Sequence, residues 1–458
     1  MSVPVRQPSH DPGNGRGVIV AAPASGSGKT IFTLALIRHL ARSGVAVASA
    51  KVGPDYIDPA FHAAAGGTAC VNLDPWAMRA ATLDRLVGAL SARAGIVVCE
   101  GVMGLFDGAV GDAGSTADLA ARTGWPVILV LDVRAQAASA AAVLRGFASH
   151  RADVDVAGVV FNRVGSPRHL AMVEDACRRA VPHVGRLGGL GRMADLELPE
   201  RHLGLVQAAE HPGLAAFLDA AADRLADAIA VDRLLALARP ANPAFVSDGT
   251  GNHAPPIAPL GQRIAVADDP AFAFRYPHVI EGWRAAGASL SFFSPLADEA
   301  PDAHADAVYL PGGYPELHAG RLAGNARFLA GLTAAAGRGA AIVGECGGYM
   351  VMGEALIDAA GEAHRMARLL PLVTSFAERR LHLGYRRARL EVATALGAAG
   401  SAFRGHEFHF ARTVSEGPGQ PLFRVADAEG RPLGGTGLAR GRVVGSFVHL
   451  IDRAEADG

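Results

Sequence analysis

The sequence predicts two α/β domains in succession, the first of them built on a doubly wound parallel sheet. Short runs of Val, Ile and Ala, each bounded by Gly, Pro or charged residues, alternate with stretches of helical composition. Such continuous apolar runs are typical of parallel strands that are covered on both faces. The alternation stops at a proline-rich stretch and then resumes, which indicates a second domain of the same class.

The apolar runs of the first half are bounded clearly enough to be assigned as strands. They cover residues 17–24, 45–53, 95–101, 125–133 and 156–164. Helical composition over 31–42 and 135–149 predicts helices between them. Residues 239–261 hold five prolines and show no helical or strand period, so we interpret them as a linker between domains at 17–238 and 262–453.

The second domain begins with a similar alternation and ends in a region richer in strands. Its predicted strands cover 263–267, 290–295, 307–311 and 340–344, and the β-rich part starts near Arg386.

Composition narrows the classes of protein that fit. The 458 residues are 50% hydrophobic and 19% charged, which favours a large core over disorder. A net charge of -1 provides no overall attraction to nucleic acid or to an anionic membrane. The four cysteines are scattered, and neither a signal peptide nor an apolar run of about 18 residues is recognisable. We therefore expect a soluble cytoplasmic protein without nucleic-acid or membrane partners.

The strongest motif is AAPASGSGKT, Ala21–Thr30, which follows a predicted strand and precedes a predicted helix. In this context a glycine-rich loop directs backbone N–H groups at phosphate oxygens. Lys29 is placed to reach the β- and γ-phosphates and the Thr30 hydroxyl to bind Mg²⁺. Pro23 occupies the position of the first glycine of a standard P-loop. The predicted nucleotide-binding residues are Ser25, Gly26, Ser27, Gly28, Lys29 and Thr30.

Two further segments place carboxylates at predicted strand ends. Glu100 ends an apolar strand in CEGVMGLFDG, where a role in binding Mg²⁺ is expected. In KVGPDYIDP, Asp55 and Asp58 fit either a metal or substrate site or a turn with capping carboxylates. Both interpretations of this second segment stay open.

A candidate nucleophile lies in the second domain. Cys346 is surrounded by glycines in GECGGYM at a predicted strand-to-helix turn, a context that exposes a nucleophile and that we expect to lower its thiol pKa. Gly313, in LPGGYPE, and Gly347 are candidates for donating N–H groups to an oxyanion. Three histidines compete for the role of base, and the sequence pattern does not rank them: His406, His409 and His449.

Taken in order, these motifs resemble a known family. From about Gly17 to Arg453 the chain is similar to the glutamine-dependent cobyrinic and hydrogenobyrinic acid a,c-diamide synthases of cobalamin biosynthesis. The shared segments are SGSGKT, KVGPDYIDP, CEGVMGLFDG, LPERHLGLV, LPGGYPE, GECGGYM and RGHEFH. The resemblance implies an ATPase domain similar to dethiobiotin synthetase, followed by a class I glutamine amidotransferase domain.

The resemblance also implies roles for individual residues. Cys346 would be the nucleophile that attacks glutamine and His449 its base. Lys29 and Thr30 would serve ATP and Mg²⁺, with Glu100 near the metal. The substrate-binding residues would be Asp55, Tyr56 and Asp58.

One position departs from the wider amidotransferase class. Many members have a Glu two residues after the catalytic histidine, whereas this chain has Ile451. The cobalamin branch lacks that Glu, so the difference fits the resemblance, but it leaves the partner that orients His449 unidentified. Glu407 or a backbone carbonyl are the candidates.

The implied reaction joins two half-reactions. ATP would convert a corrinoid carboxylate into an acyl phosphate, and ammonia released from glutamine would displace the phosphate to give an amide. Ammonia must travel unprotonated, which predicts a sheltered path. The alternatives are a cobyric acid synthase, which amidates other corrinoid carboxylates, and a regulatory ATPase with an inactive amidotransferase-like domain. The metallation of the substrate stays open, as does the oligomeric state, for which a homodimer is one possibility.

Overall fold

The structure is a computed structural model, and it describes residues 15–109, 113–192, 200–201, 204–205, 207–243 and 254–455. The chain forms two compact units. The first contains the described residues of 1–76, 83–199 and 210–251, and the second those of 77–82, 200–209 and 252–458. Residues 77–82 and the described residues of 200–209 thus fall within the first predicted domain but belong to the second unit.

The first unit is organised around a parallel sheet. Its parallel strands are β1 (Arg16–Ala21), β2 (Val47–Val52), β3 (Val71–Leu73), β4 (Ile96–Glu100), β5 (Val127–Asp132), β6 (Val156–Val164) and β7 (Gly185–Gly191). They lie in the order β3-β2-β4-β1-β5-β6-β7. Because β1 lies between β4 and β5, the direction of strand succession reverses at β1, and such a switch point is where open α/β sheets bind ligands.

In the described residues, six helices connect these strands, as expected for parallel pairing, and two more follow β7. They are α1 (Lys29–Arg42), α2 (Asp58–Gly66), α3 (Ala80–Arg93), α4 (Thr116–Thr123), α5 (Ser139–Ser149), α6 (Pro167–Ala180), α7 (Leu214–Ala228) and α8 (Val231–Leu237). Residues 80–82 of α3 belong to the second unit. Nearly every residue of β1, β2, β4 and β5 is buried, which explains their continuous apolar sequences.

The second unit has a larger, mixed sheet. Two short strands outside it, β8 (Glu200–Arg201) and β9 (Gly204–Leu205), pair with each other, and they are the described part of LPERHLGLV. The sheet contains β11 (Arg263–Ala267), β12 (Ser289–Phe293), β13 (Ala307–Leu310), β14 (Ala341–Glu345), β18 (His382–Leu390), β19 (Ala402–His409), β21 (Gln420–Ala426), β22 (Pro432–Arg440), β23 (Val443–Ser446) and β24 (His449–Arg453). The strand order is β12-β11-β13-β14-β23-β22-β21-β18-β19-β24, parallel from β12 to β23 and antiparallel beyond.

A smaller sheet and four helices complete this unit in the described residues. The small sheet consists of β15 (Ala355–Ile357), β16 (Ala363–Arg365), β17 (Leu372–Ser375) and β20 (Arg412–Glu416). The helices are α9 (Pro277–Ala285), α10 (Ala319–Gly324), α11 (Ala326–Gly337) and α12 (Gly347–Val351). Phe272, Phe293 and Phe328 lie in the core between the large sheet and its helices. No helix in the described part of the chain has the length and apolar character that a membrane span requires.

The predicted α/β class is confirmed, and the structure differs from the prediction in specific places. β7 was not predicted, because its sequence GRLGGLG contains four glycines, which are depleted in strands. Both described ends of the predicted linker are structured. Arg239–Pro240, here β10, pairs with β1 in the first unit, and the Ala258 carbonyl accepts a hydrogen bond from Trp283 in the second.

Candidate active site

The glycine-rich loop lies between the end of β1 and the start of α1. Gly26 and Gly28 have left-handed backbones, with φ of 76° and 94°. A Cβ on Gly28 would lie 2.1 Å from Asn162 Nδ2, which donates a hydrogen bond to the Ser27 carbonyl. Glycine is therefore required at position 28 for two reasons, its conformation and the close approach of Asn162. Asn162 was not predicted, because nothing in the local sequence links it to a loop 135 residues away.

The six predicted nucleotide ligands lie together on this loop. Ser25 and Gly26 are exposed, whereas Ser27 is buried and its hydroxyl donates to the Ala24 carbonyl. Pro23, the departure from a standard P-loop, is half-buried, and its carbonyl is close to Gly104, where a Cβ would lie 2.6 Å from it. The segment after β4 therefore packs against the front of the loop.

Lys29 is the first residue of α1 and is largely buried. Its Nζ donates a 2.6 Å hydrogen bond to the Met103 carbonyl, in the segment that follows β4. Burial lowers the pKa of Lys29, and the positive charge of Lys51 lowers it further. The ammonium is thus held beside the loop by a neutral acceptor that a phosphate oxygen can replace.

Glu100 is completely buried at the carboxyl end of β4, and three side chains converge on its carboxylate. Thr30 Oγ1 donates to Oε1 at 2.6 Å, and Lys51 Nζ donates to the same oxygen at 3.0 Å. His62 Nε2 lies 2.7 Å from Oε2. Although burial alone would raise the pKa of Glu100, Lys51 and then His62 hold it well below its usual range.

Lys51 and His62 belong to this site although no role was predicted for either. The Lys51 ammonium also donates a 2.6 Å hydrogen bond to the carboxylate of Asp58. Burial opposes its charge, but Asp58 and Glu100 together raise the pKa of Lys51 well above its ordinary value. A lysine inside the apolar strand VASAKV was the available signal, because a buried lysine requires partners of opposite charge.

His62 is enclosed in α2 between Glu100 and a cysteine. Its Nδ1 lies 3.5 Å from the sulfur of Cys70. Burial would lower its pKa, but Cys70 and the Glu100 carboxylate raise the pKa of His62 to about 10.

The segment with Asp55, Tyr56 and Asp58 forms the turn that starts α2. Asp55 Oδ1 accepts hydrogen bonds from the N–H groups of Ile57, at 2.7 Å, and Asp58, at 3.2 Å. Burial, followed by the charge of Asp58, raises the pKa of Asp55 to about 7. Tyr56 is half-buried between the two aspartates. Asp55 thus stabilises the turn through Oδ1, while Asp58 joins the Lys51–Glu100 group.

The donor set at the end of the loop fits Mg²⁺. The Thr30 hydroxyl and the Glu100 carboxylate are both oxygen donors and lie side by side at the N-terminus of α1. Mg²⁺ typically takes one or two protein oxygens and completes its shell with water and phosphate oxygens. Thr30 and Glu100 are the residues that would hold it.

In the second unit, Cys346 occupies a sharp turn between β14 and α12. Its backbone has φ 46° and ψ −104°, an unusual conformation for a residue other than glycine. The Cys346 N–H donates to the Ser446 carbonyl at 2.8 Å, which fixes the turn to β23. A Cβ on Gly348 would lie 1.9 Å from the Leu310 carbonyl, so glycine allows the short helix to pack closely on β13. The strand–turn–helix geometry is that of a nucleophile elbow.

The two predicted oxyanion glycines lie next to each other at this turn. A Cβ on Gly347 would be 3.0 Å from the amide nitrogen of Gly313. The Gly347 N–H also interacts with the sulfur of Cys346. The backbone segments that follow β13 and β14 thus approach each other at the Cys346 turn.

Of the three candidate bases, the structure brings His449 next to the thiol. A Cβ on Gly312 would lie 2.3 Å from His449 Cε1 and 3.3 Å from Cys346 Cβ, so both side chains border the same glycine. His406 stacks on His449 with ring centres 5.0 Å apart, and His409 stacks instead on Phe447.

Burial shifts the pKa values of Cys346 and His449 in the directions that favour their neutral forms. Burial raises the pKa of the Cys346 thiol and outweighs the effect of the Gly347 N–H, so the expectation of a lowered pKa is wrong. The helix behind it, α12, has only five residues. Burial, followed by the neighbouring His406 and His409, lowers the pKa of His449 well below its usual range. A neutral imidazole is the form that accepts a proton.

Comparison with known proteins agrees with this two-centre arrangement. Residues 18–206 match the family described as the CobQ/CobB/MinD/ParA nucleotide binding domain, and residues 263–456 match the CobB/CobQ-like glutamine amidotransferase domain. A hydrogenobyrinate a,c-diamide synthase from Sinorhizobium sp is 54% identical over 96% of this chain and 99% of its own. The enzyme of that name from Brucella abortus is 54% identical over 95% of this chain and 98% of its own.

The chain belongs to the hydrogenobyrinate a,c-diamide synthase family. A third member, from Mesorhizobium japonicum, is 51% identical over 96% of this chain and 99% of its own. The resemblance inferred from the motifs is thereby confirmed, as are the two domain types.

The pKa shifts predict how the thiol responds to pH. Because the pKa of Cys346 is raised in the folded protein, its thiolate is scarce at neutral pH. We expect alkylation of Cys346 by iodoacetamide, followed by peptide mass spectrometry, to keep accelerating as the pH rises from 7 to above 9. The same digest of Cys346→Ser gives the background from the other cysteines. A rate that levels off below pH 7 would instead indicate a preformed thiolate.

Proposed function

We propose that this protein is a glutamine-hydrolysing carbon–nitrogen ligase that amidates the a and c acetate carboxylates of hydrogenobyrinic acid, using ATP and L-glutamine. The observation that carries the proposal is a phosphate-binding loop and a thiol elbow in one chain that aligns over 95% or more of its length with synthases of that name. The names of these relatives favour the cobalt-free acid over cobyrinic acid.

The first unit would activate the carboxylate. A carboxylate is a poor electrophile because an oxide would have to leave, and transfer of the γ-phosphoryl group from ATP gives an acyl phosphate whose phosphate leaves readily. The N–H groups of the loop bind phosphate oxygens, and Lys29 exchanges the Met103 carbonyl for one of them. Mg²⁺, held by Thr30 and Glu100, would neutralise charge on the phosphates.

Lys51, Asp55, Tyr56 and Asp58 lie on the second strand and the turn that follows it, beside the proposed phosphate site. We assign Asp55, Tyr56 and Asp58 to the corrinoid substrate. Lys51 keeps Asp58 and Glu100 in place, and its charge favours an anionic acetate at the same point.

The second unit would release ammonia. His449 removes the proton from Cys346 as the sulfur attacks the carboxamide carbon of glutamine. The N–H groups of Gly313 and Gly347 stabilise the oxyanion of the tetrahedral intermediate. The proton held by His449 then passes to the departing nitrogen, which leaves as ammonia, and water hydrolyses the glutamyl thioester.

Ammonia would complete the reaction by attacking the acyl phosphate, and two such cycles give the diamide. Ammonia has to remain unprotonated in transit, since ammonium has no lone pair with which to attack. A cytoplasmic location belongs to the proposal as well, with a homodimer as one possible oligomeric state.

The division of labour predicts distinct effects of two variants. Cys346→Ser should abolish glutamine-dependent amidation and leave ammonia-dependent amidation near the wild-type rate, because only the nitrogen source is lost. Lys29→Ala should reduce both activities by a factor of about 10² or more, because both need phosphoryl transfer. The measurement is product formation by mass spectrometry with each nitrogen source. Loss of ammonia-dependent activity in Cys346→Ser would contradict the separation of the two centres.

The substrate assignment predicts which corrinoid acids react. With ATP, Mg²⁺ and glutamine, hydrogenobyrinic acid should gain two amides and its a,c-diamide should gain none. Mass analysis of parallel reactions with cobyrinic acid measures the preference for the metal-free ring. Further amidation of the a,c-diamide would favour a cobyric acid synthase, and ATP hydrolysis without any amide would favour a regulatory ATPase.

A further inference from the structure

The imidazole of a thiol amidotransferase needs a partner that orients it, and Ile451 cannot be that partner. Its side chain is apolar and fully buried, and its carbonyl accepts a hydrogen bond from His278. We propose that Glu345, the residue immediately before the nucleophile, is the positioning residue for His449. This proposal rests on the roles proposed for Cys346 and His449.

The carboxylate of Glu345 lies close to the imidazole of His449, although the two residues are on different strands. Glu345 Oε2 lies 3.9 Å from His449 Nδ1, and both side chains are at least nine-tenths buried. β14 pairs in parallel with β23, where Glu345 lies opposite Ser446, and β24 begins with His449 three residues later. Glu345 therefore ends β14, the strand that leads to the nucleophile. The glutamate of many class I amidotransferases would instead lie at position 451, on the same strand as His449.

Two hydrogen bonds hold Glu345 in this place. Tyr309, on the neighbouring strand β13, donates its hydroxyl proton to Oε2 at 2.8 Å. The N–H of Leu450, the residue after His449, donates to Oε1 at 3.3 Å. Burial raises the pKa of Glu345 to about 7, while both hydrogen bonds act to lower it. The carboxylate is thus fixed relative to both the ring and the backbone of the histidine.

The carboxylate suggested by the sequence, that of Glu407, has another partner. Its Oε2 accepts a hydrogen bond from Arg386 Nε at 2.8 Å and lies 2.6 Å from Arg386 Nη2 in the same ion pair. Glu407 and Arg386 lie on adjacent strands, β19 and β18, and form a cross-strand ion pair. That pairing assigns Glu407 to the sheet and leaves Glu345 as the better candidate.

Glu345 would act when His449 takes the thiol proton. The imidazolium then carries a positive charge in a buried site, where its attraction to a carboxylate near Nδ1 is stronger than for the same pair in water. With Nδ1 directed at Glu345, Nε2 is the nitrogen left for the thiol. Consistent with this, a Cβ on Gly312 would lie 3.2 Å from Nε2 and 3.3 Å from Cys346 Cβ. The 3.9 Å separation is longer than a hydrogen bond, and we expect it to shorten once the ring is charged.

The test replaces the charge and retains the shape. Glu345→Gln in the full chain keeps an oxygen that can accept from Tyr309 or Leu450. We expect kcat of glutamine-dependent amidation to fall by about 10²–10⁴-fold, KM for glutamine to change less than about threefold, and ammonia-dependent amidation to stay at the wild-type rate. Glu345→Asp should recover at least about a tenth of the wild-type kcat, since the charge is restored.

Tyr309→Phe is the matched control, because it removes a hydrogen bond to the same oxygen but leaves the charge. Its kcat should stay within about tenfold of wild type. A wild-type kcat in Glu345→Gln would overturn the proposal. So would an equal loss of ammonia-dependent activity, which would show a structural role, or an Asp variant no better than Gln. Failure of the proposed function has a different signature, since Cys346→Ser would then still use glutamine.

Discussion

The first unit depends on one buried carboxylate. Glu100 has no exposure to solvent, and its two oxygens are shared among Thr30, Lys51 and His62. These residues come from α1, β2 and α2. A single charge on β4 therefore connects the helix that follows the phosphate loop to the next strand and helix in the chain. Removing one partner from such a buried group typically costs about 3–5 kcal/mol, because the remaining charges stay uncompensated.

Both units place their chemistry at the carboxyl ends of parallel strands. In the first unit, the phosphate loop follows β1 and Glu100 ends β4, the strand beside it. In the second, Gly313 follows β13 and Cys346 follows β14, again a neighbouring pair. Parallel neighbours bring residues that are distant in sequence to one edge, and this edge is where open α/β sheets bind ligands. Glycines then allow the close backbone approach that each turn requires.

Local motifs could be predicted from the sequence, whereas contacts between distant segments could not. SGSGKT and the glycines around Cys346 specify their own turns. By contrast, Lys51 and His62 lie 49 and 38 residues from Glu100 in the chain. Only the folded arrangement of β2, α2 and β4 brings these side chains together. The choice of His449 came from the resemblance, because adjacency to Cys346 arises from the pairing of β14 with β23. The thiol pKa was misjudged because a helix terminus is visible in sequence but burial is not.

The proposed amidation proceeds through an acyl phosphate, so the phosphate that leaves when the amide forms carries an oxygen of the substrate's own carboxylate. The most direct measurement uses hydrogenobyrinic acid with ¹⁸O in its acetate carboxylates, incubated with ATP, Mg²⁺ and glutamine. An acyl phosphate transfers one carboxylate oxygen to the departing phosphate, so the account predicts one ¹⁸O in inorganic phosphate for every amide formed. Inorganic phosphate without the label, formed alongside a normal yield of diamide, would contradict it.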